Sequence, residues 1–182
     1  MSRSVVALGG PPGSGKSTAA RRVARELGLE YRSVGDAFRA EAKARGLDLE
    51  AFGRYAEAHP EVDTELDRAM QALARPGVLL EGRIQGVLCR RRGVPVEVIV
   101  VAASAAERAR RLAGRDGQTV EEATRALEVR EASERVRYLK FYRIDVDREP
   151  ADLVVDSSRL TPEEVASTIV AFLRRRWEEA PR

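Results

Sequence analysis

The stretch Gly9-Gly10-Pro11-Pro12-Gly13-Ser14-Gly15-Lys16-Ser17-Thr18 constrains this chain more than any other. It follows Ser4-Val5-Val6-Ala7-Leu8, a β-branched run that reads as a short buried strand closed by glycines. From Lys16 to Leu27 the pattern is helical, and Gly28 ends it. Strand, glycine-rich turn and helix, in that order, give the spacing G-x-x-x-x-G-K-[ST] its physical meaning. Gly10, Gly15, Lys16 and Ser17 fill that spacing, with Gly13 as an extra glycine inside it. Glycines allow successive backbone N–H groups to turn inward at a helix N-terminus, which makes a concave anion site suited to phosphate. The lysine is a departure from habit. Of 32 basic residues only Lys16, Lys43 and Lys140 are lysine. A compact ammonium on a flexible stem can follow a phosphate as it transfers, which the rigid fork of arginine does less well. Ser17 offers a hydroxyl to Mg²⁺.

Other apolar runs extend the pattern. Residues 77–82 (GVLLEG), 96–103 (VEVIVVAA) and 151–158 (ADLVVDSS) read as buried strands, the first two separated by a helical segment. Thr161-Pro162-Glu163-Glu164 opens a helix as a capping box with proline at the first helical position. Strands alternating with helices predict an α/β fold with a parallel sheet covered on both faces. Residues 36–75 are helical with no strand, an expected insertion over one edge of the site, and residues 104–148 are helical and highly charged. The tail RRRWEEAPR reads as a frayed helix end. One domain of 182 residues is expected, without repeat or linker.

Composition narrows the function classes. One cysteine, Cys89, and one histidine, His59, leave no internal disulfide, no Cys/His zinc cluster and no histidine triad of substance. The longest apolar run, residues 98–103, is too short to span a bilayer, so a cytoplasmic protein without a membrane partner is expected. The sequence pI of about 9.3 invites a nucleic-acid reading, but the net charge is only +3. The arginine-dense stretch 107–149 holds eleven basic and ten acidic residues, and aromatics are 5% of the chain, so no nucleic-acid partner is expected.

Several charged residues fall where a phosphate-transfer site would need them. Glu81 and Arg83 end a buried strand beside the glycine-rich loop, at the carboxyl edge where ligands bind. Glu81 could hold a water of a Mg²⁺ shell and Arg83 could fork onto a phosphate; a strand-end salt bridge is the bland alternative. In Ser33-Val34-Gly35-Asp36-Ala37-Phe38-Arg39, Asp36 reads as a helix N-cap and Arg39 faces back to the cleft. Arg130, Glu134 and Arg137 lie at i, i+4 and i+7 on one helix face, either as a solvated ion pair or as a lid that neutralises transferring phosphates. Arg110, Arg111 and Arg115 could serve the same lid. Asp63, Asp67 and Gln85 are polar candidates near an acceptor base, with helix-surface roles equally open to the two aspartates.

Six segments taken in order, GGPPGSGKST, SVGDAFR, LDLEAFGRYAEAHPEVDTELD, VLLEGRIQG, REASERVRYLKFYRIDVD and DLVVDSSRLTPEEV, resemble the short archaeal-type cytidylate kinases over most of the chain. The resemblance implies a P-loop nucleoside-monophosphate kinase fold, with a five-stranded parallel sheet flanked by helices. It implies a helical monophosphate-binding insertion at 36–75 and a helical lid at about 115–145. By the same resemblance Gly10 to Thr18 and Arg115 bind ATP, and Lys16, Arg130 and Arg137 are catalytic. Gly35, Asp36, Arg39, Arg83, Gln85 and Glu134 bind the acceptor, and Ser17 and Glu81 hold Mg²⁺. The residues 156–158 (DSS) would lie near the ATP base. Where the family usually shows YGID, this chain has Tyr142-Arg143-Ile144-Asp145. The implied activity is ATP-dependent phosphorylation of CMP and dCMP by a monomer. The same chemistry on AMP or UMP, an RNA-processing P-loop ATPase, and a non-catalytic nucleotide-binding protein are the rivals.

Overall fold

The computed structural model describes residues 4–179. β1 (Val5–Gly9) is buried along its whole length, as an all-apolar run in the middle of a sheet must be. It pairs with β3 (Val78–Glu81) on one side and β4 (Val96–Ala102) on the other, while β2 (Glu30–Ser33) and β5 (Leu153–Asp156) form the edges. All pairings are parallel, in the order β2-β3-β1-β4-β5. The register sets Leu8 opposite Glu81, so the end of β3 stands level with the root of the glycine-rich loop.

One face of the sheet is covered by α1 (Lys16–Leu27) and α8 (Pro162–Glu179) around Val6, Leu8, Val23, Ile99, Ile169 and Leu173. The other face carries a second cluster of Val5, Met70, Val78, Leu80 and Cys89, supplied in part by α4 (Pro60–Ala72) and α5 (Gln85–Arg91). Cys89 is a free, buried thiol. The 36–75 region contains no strand: α2 (Val34–Ala44), α3 (Leu49–Ala58) and α4 enclose a small core of Ala42, Phe52, Ala56 and Val62. α6 (Ala105–Asp116) and α7 (Val120–Tyr142) form a hairpin that turns at Gly117, with φ of 68°. Thr119 and Glu122 cap α7 reciprocally. α7 also packs against α3.

Two local expectations change. Ser33, not Asp36, caps α2: its backbone is extended at the end of β2, and its hydroxyl accepts from the Asp36 N–H at 3.1 Å. Asp36 sits in the first turn, where a carboxylate favours the helix dipole. The C-terminal segment is also anchored rather than frayed as far as Glu179. Trp177 is buried against the α1–α8 cluster, and its indole N–H donates to Ser4 Oγ at 3.2 Å. Residues 180–182 of that tail lie outside the described residues. The expected box at Thr161 is present, with the Glu164 N–H donating to Thr161 Oγ1 at 3.2 Å and the Thr161 N–H to Glu164 Oε2 at 2.7 Å.

Candidate active site

The loop from Gly10 to Gly15 is built on positions that only glycine tolerates. Gly10 has φ of 140°, and a Cβ there would stand 2.1 Å from the Val101 carbonyl oxygen. Gly13, at φ 80°, would bring a Cβ within 2.9 Å of the Arg108 carbonyl. Substituting either requires backbone to move, so the loop is fixed by contact with β4 and α6 as well as by its own turns. Gly15, also left-handed, is the N-cap of α1, and Lys16 and Ser17 are that helix's first residues.

Lys16 reaches back along the loop, its ammonium 3.4 Å from the Pro11 carbonyl. Burial lowers its pKa to about 8, helped by the nearby charge of Arg130 and opposed by Glu81 and Glu134. Those causes name the elements that meet at this point: the loop, the end of β3 and the middle of α7. Ser17 Oγ donates to Glu81 Oε1 at 2.9 Å, and the Tyr31 hydroxyl from β2 donates to Glu81 Oε2. Glu81 is only 2% exposed, and burial together with that carboxylate keeps the Tyr31 phenol protonated well above its usual range.

Across from Lys16, Glu134 is the focus of a cationic cluster. Arg130 Nε donates to its Oε1 at 3.0 Å, and Arg83 Nε stands 3.3 Å from its Oε2. Burial alone would push the Glu134 carboxyl up, but Arg130, Arg83 and Lys16 together hold it below the ordinary carboxylate range. Glu134 Oε2 and Arg83 Nε are both buried without a hydrogen bond. The pair is therefore held by charge, with donor and acceptor capacity left over. One turn on, Arg137 donates from one guanidinium nitrogen to both oxygens of Asp63 on α4, one of them at 2.6 Å, and its Nε has no partner.

The remaining expected contacts divide. Arg39 bonds Asp36 Oδ1 at 2.6 Å, and Arg21 meets the other oxygen at 3.0 Å, all near the surface. Gly35 lies beside this arrangement: a Cβ there would be 3.4 Å from the Arg39 guanidinium, which is ordinary contact. Arg115 pairs with Asp116 at the exposed end of α6, and Arg110 pairs with Glu107. Arg111 alone of those three reaches the loop, donating to the Ser14 carbonyl at 3.2 Å and to Ser157. The base-facing candidates are not on the helix surface. Asp63 and Asp67 are 6% and 5% exposed. Gln85 donates to Asp67 at 2.5 Å and accepts from Gln71 at 2.7 Å, and Tyr142 donates to the other Asp67 oxygen at 2.6 Å. Each polar end of Gln85 is thus already used inside the protein.

Residues 9–130 match the family described as an AAA domain. Over nearly the full length the chain is similar to proteins named cytidylate kinase. One from Methanopyrus kandleri is 40% identical over 93% of this chain and 92% of its own, and one from Pyrococcus abyssi is 37% identical over 96% of both. One from Pyrobaculum arsenaticum is 42% identical, covering 92% and 91%. The chain belongs to the cytidylate kinase family. Among solved structures, a shikimate kinase from Acinetobacter baumannii superposes with a TM-score of 0.63 at 15% identity, over 96% of this chain and 94% of that one. A putative kinase from Chloroflexus aurantiacus gives 0.60 at 18%, over 96% and 98%. These likenesses establish the P-loop kinase fold of a cytidylate kinase family member.

In this member of the cytidylate kinase family, sequence reasoning missed Arg108 at the site, and it placed the DSS segment there without foreseeing that Ser157 braces the loop. Arg108 donates to the Pro12 carbonyl at 3.1 Å and to Glu131. Ser157, from the DSS segment, accepts from Arg111 and donates to the Ser14 carbonyl at 2.8 Å, so that segment braces the loop directly. Among the described residues no cluster of three or more His, Cys, Asp or Glu could hold a metal ion, and no helix is long and apolar enough to cross a membrane.

Proposed function

We propose that this protein transfers the γ-phosphoryl group of ATP to CMP, and also to dCMP, giving ADP and the nucleoside diphosphate. Its near full-length similarity to cytidylate kinases carries the proposal, and the convergence of Lys16, Arg83 and Arg130 on one buried point supports it. Phosphoryl transfer asks for positioning and charge neutralisation more than for a general base. A site rich in arginine, with its one histidine exposed on α3's end and stacked on Tyr55, meets that demand.

The backbone N–H groups of Gly13 to Thr18 cradle the ATP phosphates (Pro11 and Pro12 have none to give), and Lys16 follows the transferring group. Arg115 reaches ATP only by leaving Asp116. The insertion formed by α2, α3 and α4 takes the monophosphate, with Arg39 and Arg83 on its phosphate and Gly35 and Asp36 lining the approach. Glu134 completes the acceptor side, and Gln85 reaches it only by giving up a bond to Asp67 or Gln71. The hairpin of α6 and α7 is the lid, and Arg130 and Arg137 neutralise the phosphates at transfer. For that, Arg130 exchanges its contact with Glu134, and Arg137 its contact with Asp63, for phosphate oxygens.

Ser17 and Glu81 fit a magnesium ion: hydroxyl and carboxylate oxygen lie 2.9 Å apart at the helix start, both hard donors. Among the described residues no cluster of three or more His, Cys, Asp or Glu stands there, so the ion would take its other ligands from phosphate and water. A magnesium ion held there by Ser17 and Glu81 would supply neutralisation of phosphate charge.

The test is ADP formation from ATP and Mg²⁺ with CMP, dCMP, UMP, AMP and GMP each as sole acceptor. CMP and dCMP are expected to give the highest kcat/KM, with the purines near background. AMP as the best acceptor would overturn the cytidylate assignment while leaving the kinase standing; turnover without any acceptor would favour an ATPase.

A further inference from the structure

A phosphate cradle has two sides. Turning successive N–H groups toward the ligand turns carbonyls away from it, and carbonyls packed under a neighbouring helix need donors. In this loop the Pro11 carbonyl has Lys16 and the Ser14 N–H, at 3.4 and 3.3 Å, and the Ser14 carbonyl has Arg111 and Ser157. The Pro12 carbonyl depends on Arg108, whose Nη1 donates to it at 3.1 Å. Arg108 is 9% exposed, and its helix lies against the loop closely enough to exclude a Cβ at Gly13. The same Nη1 donates to Glu131 on α7, and Glu131 directly follows Arg130 in the chain. One buried guanidinium therefore joins the outer side of the cradle to the helix that carries the site's arginines.

We infer that Arg108 is a positioning residue for phosphate binding and transfer. By holding the Pro12 carbonyl outward it fixes the direction of the loop's inward N–H groups. By holding Glu131 it fixes the placement of α7 that brings Arg130 to Lys16. Arg108 touches no substrate itself. Arg108→Met leaves the Pro12 carbonyl without a donor and Glu131 without its buried cation; Arg108→Lys keeps the charge and a donor on a shorter stem. The inference depends only on the loop binding phosphate and not on which acceptor the protein uses.

Equilibrium binding of ADP, alongside kcat and KM with ATP and CMP, tests it in Arg108→Met, Arg108→Lys and Glu131→Gln. Arg108→Met is expected to bind ADP about tenfold more weakly, as loss of one charge-assisted hydrogen bond implies. It should lower kcat as well, while KM for CMP stays within about twofold. Arg108→Lys should recover most of the ADP affinity. Glu131→Gln should keep that affinity and lower kcat, because only the α7 arm is cut. Wild-type ADP affinity and kcat in Arg108→Met overturn the inference. So does a general loss in which Arg108→Lys is as poor as Arg108→Met and CMP binding falls equally, since that is the mark of packing alone. If Arg108→Met fails to fold, Arg108→Lys and Glu131→Gln still separate the two arms. If no acceptor is phosphorylated by the wild type, ADP binding still decides.

Discussion

Asp67 shows at the scale of one residue how a buried polar group sets a pH dependence. Burial raises its carboxyl from the ordinary range to about 6, further lifted by the charge of Asp63 and opposed by hydrogen bonds from Tyr142 and Gln85. A carboxyl with a raised folded-state pKa takes up its proton in the folded protein first. Between about pH 4 and about 6 the folded state therefore binds more protons than the unfolded chain, and stability falls as pH rises through that window. Asp67→Asn keeps an acceptor for Gln85 and gains a donor for the Tyr142 oxygen, without the buried charge. The variant is expected to be more stable than wild type by about 1–2 kcal/mol at pH 7.5, with the difference shrinking toward pH 5. Urea unfolding at the two pH values checks this; a variant less stable at both would mean that hydrogen bonds to the ionised form outweigh its desolvation. Residues at this scale were legible where the signal was local. Lys16 and Ser17 came from a motif, and Arg130 and Glu134 from helical spacing. Arg137's partner Asp63 and Arg108's partner Pro12 were not legible, because they lie 74 and 96 positions away and no local pattern encodes such pairs.

Elements were legible wherever hydrophobic period and punctuation agreed. The buried strands, the α1 stop at Gly28 and the Thr161 box all follow from such signals. The order of the strands and the break between α3 and α4 at His59-Pro60 depend on packing beyond a local window. The end of α7 is instructive because the sequence departs from the glycine usual in the family. Arg143 closes the helix at φ 55°, the one non-glycine residue with positive φ among the described residues. Its N–H and that of Ile144 still satisfy the last carbonyls, at 3.1 and 3.2 Å, so the helix stop survives at a conformational cost. Arg91 bonds the carbonyls of Tyr142 and Arg143, not the Arg143 side chain. Arg143→Gly therefore removes strain without removing those bonds. It is expected to stabilise the protein by about 1 kcal/mol, roughly 2–4 °C in Tm. A lower Tm would show that the arginine side chain contributes more than its backbone costs.

At the scale of the whole molecule, the insertion and the α6–α7 hairpin meet where α3 packs against α7 and are joined by a buried ion pair. Asp63 on α4 holds Arg137 on α7, both side chains almost fully buried, and α3 lies against α7 where Gly53 faces the unpartnered Ser133 hydroxyl. Removing one member of a buried pair strands the other charge, at about 3–5 kcal/mol. Asp63→Asn keeps the shape, removes the charge and leaves one of the two acceptors that Arg137 uses. Without ligand it is expected to lose at least roughly 6–12 °C in Tm, the equivalent of about 3 kcal/mol in a chain of this size. A ligand that brings phosphate to Arg137 supplies the missing counter-charge. A bisubstrate analogue joining cytidine to adenosine through five phosphates should therefore raise the Tm of Asp63→Asn more than that of the wild type. In hydrogen exchange on the wild type the analogue should protect α3, α4 and α7 together, and ATP alone much less, because closure must exclude water only when both substrates are present. An equal Tm gain in both proteins would place Arg137 outside the phosphate site, and equal protection by ATP alone would remove the two-substrate lid.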